Sequence, residues 1–383
     1  MAARAPLPQA AVVGVGTTRY GVLSDYDAYD LGQWALKNAL DDAGLSPGDI
    51  DGLILSRVPD YQRFAELGRL DPHYTLTTPG HGRFAGICIQ TAVAVLQAGL
   101  ARTVAVVYGN NGRSAGDRYG GDTDSYGSGG AGMWFPYGMT SPGAFHALMF
   151  QRHQARYGTR VEQLAEIPMA FRYHASLNPA AVMREPFGLE QYLATRHICE
   201  PLRLLDYCLI NDGGVALILT LAERAADLPQ PPVYIDAMAQ RAQFTDSTFP
   251  PEDFWHGAMA SAAQATFAQT DLRREDMDAL MVYDNFSPTV LFSLEGFGYC
   301  QPGEGGAFIQ GGRLRLDGDL PTNTSGGHLS ESYMQGWALN VEAVRQIRGQ
   351  CDQRQVPGAQ HVHYMAAAPV ITSLIYSGQR RTQ

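Results

Sequence analysis

The chain predicts an α/β protein built from a duplicated unit, and three observations carry that prediction. Strand-like apolar runs alternate with helical apolar spacing through the N-terminal part of the chain, the pattern of βαβ layering. A helix, acidic turn and strand, NALDDAGLSPGDIDGLIL (38–55), is echoed by ATFAQTDLRREDMDALMV (265–282). Leu45, Asp49, Ile50, Asp51 and Leu53 match Leu272, Asp276, Met277, Asp278 and Leu280 at constant offset, as expected of an internal repeat. Finally, 383 residues with 45% hydrophobic content bury too large a core for one layer pair, so two subdomains are the default.

In chain order, AAVVGVG (10–16) reads as a buried strand ending in glycines, and Tyr29 to Gly44 has helical spacing stopped by a glycine. LILS (53–56) is the next strand. The Ala/Val/Ile-rich run from Phe84 to Gly99 predicts a buried helix that leads into the strand TVAVVYG (103–109). From Gly109 to Gly143 the composition turns to Gly, Asp, Ser and Tyr without periodicity, a long loop of the kind that forms lids or interfaces. GAFHALMF (143–150) is an apolar helix carrying His146. NDGG (211–214) is a tight turn before the strand VALILT, followed by a short helix and a proline-rich linker. The halves therefore divide as 1–230 and 231–383.

The formal charge of −10 and pI near 5.4, without a Lys/Arg run, leave no basic footprint for nucleic acid or an anionic bilayer. Five scattered cysteines (Cys88, Cys199, Cys208, Cys300, Cys351) lack C-x-x-C spacing, so they read as reduced thiols in a cytoplasmic protein and not as a metal or redox site. The N-terminus has no apolar signal-peptide core, and no run approaches membrane-spanning length. VGVGTTRYG lacks the third glycine of a dinucleotide turn.

Several motifs occur in one order along the chain: the strand–glycine–TxxG start, DAGLSPGDIDGL, PLRLLDYCLINDGGVALIL, YDNFSP, LEGFGYCQPGEGG and NTSGGHLSESYMQGWALNVEAVRQIRG. Together they resemble the thiolase superfamily, sterol-carrier-thiolase branch. The resemblance covers nearly the whole chain and implies a duplicated five-layer αβαβα fold that dimerises through its core. It also marks where the chemistry has changed. The position of the family's nucleophilic cysteine falls near Arg83 in GHGRFAGICIQ, where there is no cysteine. The family's His-Asp-Cys-Phe reads Tyr283-Asp284-Asn285-Phe286, and the histidine of its Gly-His-Pro is replaced by Tyr333. Without a thiolate and its base, acyl transfer through a covalent intermediate has no evident machinery.

The same substitutions resemble those of thiolase-like aldolases that cleave steroid side chains by a retro-aldol reaction on a β-hydroxy acyl-CoA. That chemistry needs a base for the hydroxyl proton, stabilisation of the thioester enolate, and an acid to protonate the α-carbon. A phenol is a ready neutral donor, but using it as a base near pH 7 costs roughly 4 kcal/mol unless its pKa is lowered. Tyr283 and Tyr333 are thus expected to share acid/base duty, with Asp284, His146 or His328 tuning one of them, and with the Ser325-Gly326-Gly327 turn admitting the thioester. His146 and His328 are the further candidate catalytic residues. CoA enters as part of the substrate, with Arg83, Arg113 and Arg118 as candidate contacts. No cofactor is expected in this chain. The resemblance implies a small zinc-ribbon/OB-fold partner that carries its own zinc and completes the acyl-CoA channel, in an α2β2 complex around a homodimer. The competing readings are a thiolase or acyltransferase using Cys88, and a noncatalytic acyl-CoA-binding subunit.

Overall fold

The computed structural model describes residues 8–80, 82, 84–116, 141–243 and 250–381. Its strands are β1 (Ala10–Thr17), β2 (Gly52–Ser56), β3 (Tyr74–Thr78), β4 (Thr103–Asn110), β5 (His197–Cys199), β6 (Leu202–Arg203), β7 (Gly213–Leu221), β8 (Val233–Ala242), β9 (Ala279–Val282), β10 (His361–Ala366) and β11 (Val370–Ser377). β5 and β6 form a separate small ribbon, and the other nine make one sheet in the order β3-β2-β4-β7-β1-β8-β11-β10-β9.

That order is a mirror about the β1/β8 seam, where only Ala11 with Tyr234 and Val12 with Val233 pair. Going outward on one side, β7 is antiparallel to β1 and β4, and β2 is parallel to β4. On the other side, β11 is antiparallel to β8 and β10, and β9 is parallel to β10. In the place that β3 takes beside β2, Thr322 makes a single parallel bridge to Leu280 of β9. The echoed segments fall in equivalent positions, and the echoed acids do equivalent work. Asp51 accepts the N–H groups of Arg102 and Thr103 at the start of β4, and Asp278 accepts those of Gln360 and His361 at the start of β10. In each half an aspartate ties the second strand to its parallel neighbour.

Period-two alternation sorts the strand residues into separate cores. Ile54, Val104, Val106, Leu217, Met281, Tyr364 and Leu374 face a central core with the helices Phe84–Gln97 and Trp337–Ile347. Leu53, Leu55, Ala105, Val107 and Ile218 face the opposite way, onto the helices Ala28–Ala43 and Tyr61–Gly68. Leu280, Val282, Ile371 and Ile375 face the helices His256–Phe267 and Ser287–Gly296. The two halves of the sheet, one on each side of the seam, thus share the central core, and the layers run helix, half-sheet, buried helix pair, half-sheet, helix. The glycines of VGVG serve this packing: a Cβ at Gly14 or Gly16 would stand 2.4 or 2.2 Å from a backbone oxygen of the helix Ala28–Ala43, so they let helix and strand touch.

The 109–143 loop lies mostly outside the described residues, as do Arg83 and Arg118; Arg113 is described and exposed. No described helix is long and apolar enough to cross a membrane.

Candidate active site

The site is built where β9 ends. Asn323 extends the strand with its side chain: its Oδ1 accepts the Val282 N–H at 2.7 Å and its Nδ2 donates to the Val282 carbonyl at 2.8 Å. Asn323 holds φ +50°, a left-handed backbone that asparagine tolerates better than most residues. Tyr283, directly after Val282, continues the inward face of Ala279 and Met281 into the central core and is 4% exposed. Its N–H donates to the Met365 carbonyl at 2.8 Å.

Asp284 points the other way and is fully buried. Its carboxylate accepts the backbone N–H groups of His328 (3.0 Å) and Leu329 (3.2 Å), and lies 2.9 Å from His328 Nδ1. His328 Nε2 accepts the Gly336 N–H at 2.8 Å. The Asp284 N–H also approaches Nδ1, at a longer 3.3 Å, so the shorter bond places the lone pair on Nε2 and the ring proton on Nδ1, which faces the carboxylate. Both ring nitrogens are therefore committed to holding the 327–336 loop. The ring edge meets both tyrosines, at centroid separations of 4.9 Å to Tyr283 and 5.3 Å to Tyr333.

Tyr333 arrives from the other side of this loop, its N–H donating to Asn211 Oδ1 at 2.7 Å. The two phenol oxygens, fifty residues apart in sequence, end 2.9 Å from each other. At that distance one hydroxyl donates to the other, so a phenolate formed on either ring is met by its neighbour's O–H.

The remaining candidates sit differently. His146 packs its ring 4.3 Å from Phe286, three residues beyond Tyr283, and its Nδ1 lies 2.8 Å from the Pro142 carbonyl. The proton is thus on Nδ1, leaving Nε2 as a buried acceptor with no donor among the described residues. Burial pulls its pKa down to about 4, against the smaller opposing pull of that carbonyl, so the imidazole is neutral at pH 7. Asp284 engages the loop and His328, not a phenol. Cys88 corrects the competing nucleophile reading: it is 0% exposed inside the helix Phe84–Gln97, against Thr78, and burial pushes its thiol up to about 12. A thiol so placed is a small hydrophobe. Among the described residues no set of three His, Cys, Asp or Glu side chains is arranged to hold a metal.

Sequence reasoning did not single out Asn323 or Asn211, which pin the two tyrosines. The one local signal was an asparagine directly before the small-residue turn TSGG, the kind of residue that adopts a left-handed turn.

A mirrored sheet around a buried helix pair, with a reactive-group cluster where the C-terminal half's strand end meets a long loop, defines a thiolase-fold protein. A family model described as "Thiolase C-terminal domain-like" matches residues 242–374. The chain is 35% identical to a steroid side-chain-cleaving aldolase of Thermomonospora curvata, over 89% of this chain and 90% of that protein. It is 35% identical to a 17-hydroxy-3-oxo-4-pregnene-20-carboxyl-CoA lyase of Mycobacterium tuberculosis, over 97% and 99%, and 32% identical to an acetyl-CoA acetyltransferase of Methanothermobacter thermautotrophicus, over 91% and 94%. Among solved structures, the Ltp2–ChsH2(DUF35) aldolase superposes with a TM-score of 0.89 at 32% identity, covering 98% of this chain and all of that one. The chain belongs to the thiolase-like family that includes the steroid side-chain-cleaving aldolases.

Proposed function

We propose that this protein is an aldolase that cleaves the side chain of a steroid-like β-hydroxy acyl-CoA, releasing a ketone and propionyl-CoA or acetyl-CoA. The observation that carries the reading is the 2.9 Å contact between the Tyr283 and Tyr333 hydroxyls. It favours the activity named for the aldolase relatives over that named for the acetyltransferase relative, because a phenol pair can move protons while acyl transfer needs a nucleophile, and Cys88 is buried away from such a role.

The pair acts as one acid/base unit. One phenol, with its ionised form stabilised by the other's O–H, takes the proton of the substrate's β-hydroxyl. The carbon–carbon bond then breaks, the oxygen's electrons forming the ketone and the bond's electrons passing into the thioester enolate. The second phenol protonates the α-carbon, and a proton shift across the contact resets the pair. His328 holds the loop and wedges both rings, while His146 offers a neutral acceptor to a hydroxyl or amide of the substrate. CoA is part of the substrate, and we assign no cofactor to this chain. We further propose that it works with a zinc-ribbon/OB-fold partner in an α2β2 complex, on the precedent of the DUF35 protein named with its solved relative.

The test is Tyr283→Phe and Tyr333→Phe in the co-purified complex, assayed for retro-aldol products of a β-hydroxy steroid-CoA. Each is expected to keep partner binding and to lose roughly 10²- to 10⁴-fold in kcat, the usual weight of a positioned acid or base. Full activity in both variants sinks the reading and favours a noncatalytic acyl-CoA-binding subunit.

A further inference from the structure

We infer that Gly82 is a positioning residue for the reaction, because the space its missing side chain leaves is where the Tyr283 phenol sits. The inference rests on the tyrosine reading above. A Cβ built on Gly82 would stand 1.9 Å from the Tyr283 hydroxyl oxygen, 2.1 Å from Cζ and 2.4 Å from Cε2, far inside van der Waals contact. Gly82 is not among the glycines with positive φ, so an L-residue's backbone would be acceptable there. What excludes one is the occupied volume.

Neither side of this contact is free to yield. The Tyr283 backbone is tied to Met365 across the sheet, its ring lies in the central core, and the edge-on His328 ring closes its flank. Gly80 and Gly82 are held from the other half: Gln335 Nε2 donates to the Gly80 carbonyl at 3.4 Å, and the Gly82 carbonyl closes on Gly336, 3.5 Å from where a Cβ there would be. Two residues later the helix Phe84–Gln97 begins, and its Gly86 rests on Thr372 so closely that a Cβ would stand 2.3 Å from the hydroxyl. Gly82 cannot retreat far unless that helix slides. A side chain at 82 therefore displaces the phenol from Tyr333, and proton transfer fails although both tyrosines remain.

The test uses the full chain in complex with its partner. Gly82→Ala is expected to cut kcat about 100-fold or more with a much smaller change in KM, as misplacing a catalytic group by an ångström does. Combined with Tyr283→Phe it should add little to the loss that Tyr283→Phe causes alone, since the two changes remove the same function. Should Gly82→Ala fold poorly, Gly82→Ala with Tyr283→Val is expected to recover melting temperature, because the conflict is with that ring. Wild-type kcat in Gly82→Ala, fully additive losses in the double variant, or no recovery with Tyr283→Val each overturn the inference and leave the tyrosine reading standing. Full activity in both Tyr283→Phe and Tyr333→Phe removes the reading itself.

Discussion

Replacing Glu331 by glutamine should stabilise the protein above neutral pH and do little in mild acid. Glu331, two residues before Tyr333, is 6% exposed, and among the described residues its carboxyl accepts from neutral donors only, Ser325 Oγ at 2.7 Å and Asn178 Nδ2 at 3.1 Å. Its neighbour Glu342 takes the cation: Arg354 Nε and Nη2 each donate to it at 3.1 Å, with Thr324 and Gln346 adding further bonds. Burial foremost, and then the Glu342 charge, raise the Glu331 carboxyl from 4.5 to about 7, while Glu342 is held below the ordinary range by Arg354 in spite of its burial.

For a carboxyl whose folded pKa is raised, the folded state binds the proton more tightly than the unfolded one. There is no penalty below about pH 4.5, and stability is lost as pH rises from there through about 7. At 1.36 kcal/mol per pK unit the full loss is about 3 kcal/mol. Glu331→Gln cannot ionise, and its amide can still accept from Asn178 and donate to the Ser325 hydroxyl. Melting curves of the complex at fixed scan rate, from pH 5 to pH 8.5, should show matching midpoints at the acid end and a gap opening to about 4 °C above neutrality. A gap that does not change with pH, or a variant less stable at pH 8, refutes the assignment of the proton to Glu331.

Three further outcomes follow from the same contacts. Cys88→Ala should keep activity within about twofold and lose about 1 kcal/mol of stability; an acyl group found on Cys88 by mass spectrometry of the substrate-treated enzyme would restore the thiolase reading. Asp284→Ala strands the N–H groups of His328 and Leu329 and the His328 ring proton, at about 1–3 kcal/mol each, and so should lower the melting temperature far more than Asp284→Asn; equal effects would show that the carboxylate does not hold the loop. Because burial keeps His146 neutral down to about pH 4, the pH profile of kcat/KM between 5 and 8 should be the same in His146→Gln as in wild type, and a limb near 6 that disappears in the variant would contradict its neutral state.

The parts of this protein that were legible in its sequence are those where one residue's identity carries one physical demand. Asp51 and Asp278 could be matched because each caps a neighbouring strand's first amides, and a carboxylate there has few substitutes. Tyr283 and Tyr333 stood out because a tyrosine in a histidine's frame changes the available proton chemistry, and the fold then brought them to 2.9 Å. β3 and the helix Tyr61–Gly68 were not legible: YTLTT is a half-exposed edge strand with little apolar contrast, and the helix spans only two turns. His328 shows the harder limit. Its sequence context marks it as a candidate for proton transfer, but whether a histidine transfers protons depends on what its ring nitrogens already hold. Gly336 N–H and Asp284 hold them here, and those partners lie 8 and 44 residues away. Gly82 lies beyond that limit, since its meaning is a volume, and the volume belongs to a ring two hundred residues downstream. A change of chemistry in this fold therefore cannot be read from the reacting residues alone. If the two phenols carry the reaction, it requires the position facing Tyr283 to be empty and His328 to hold the loop beside them, and both are visible only once the chain has folded.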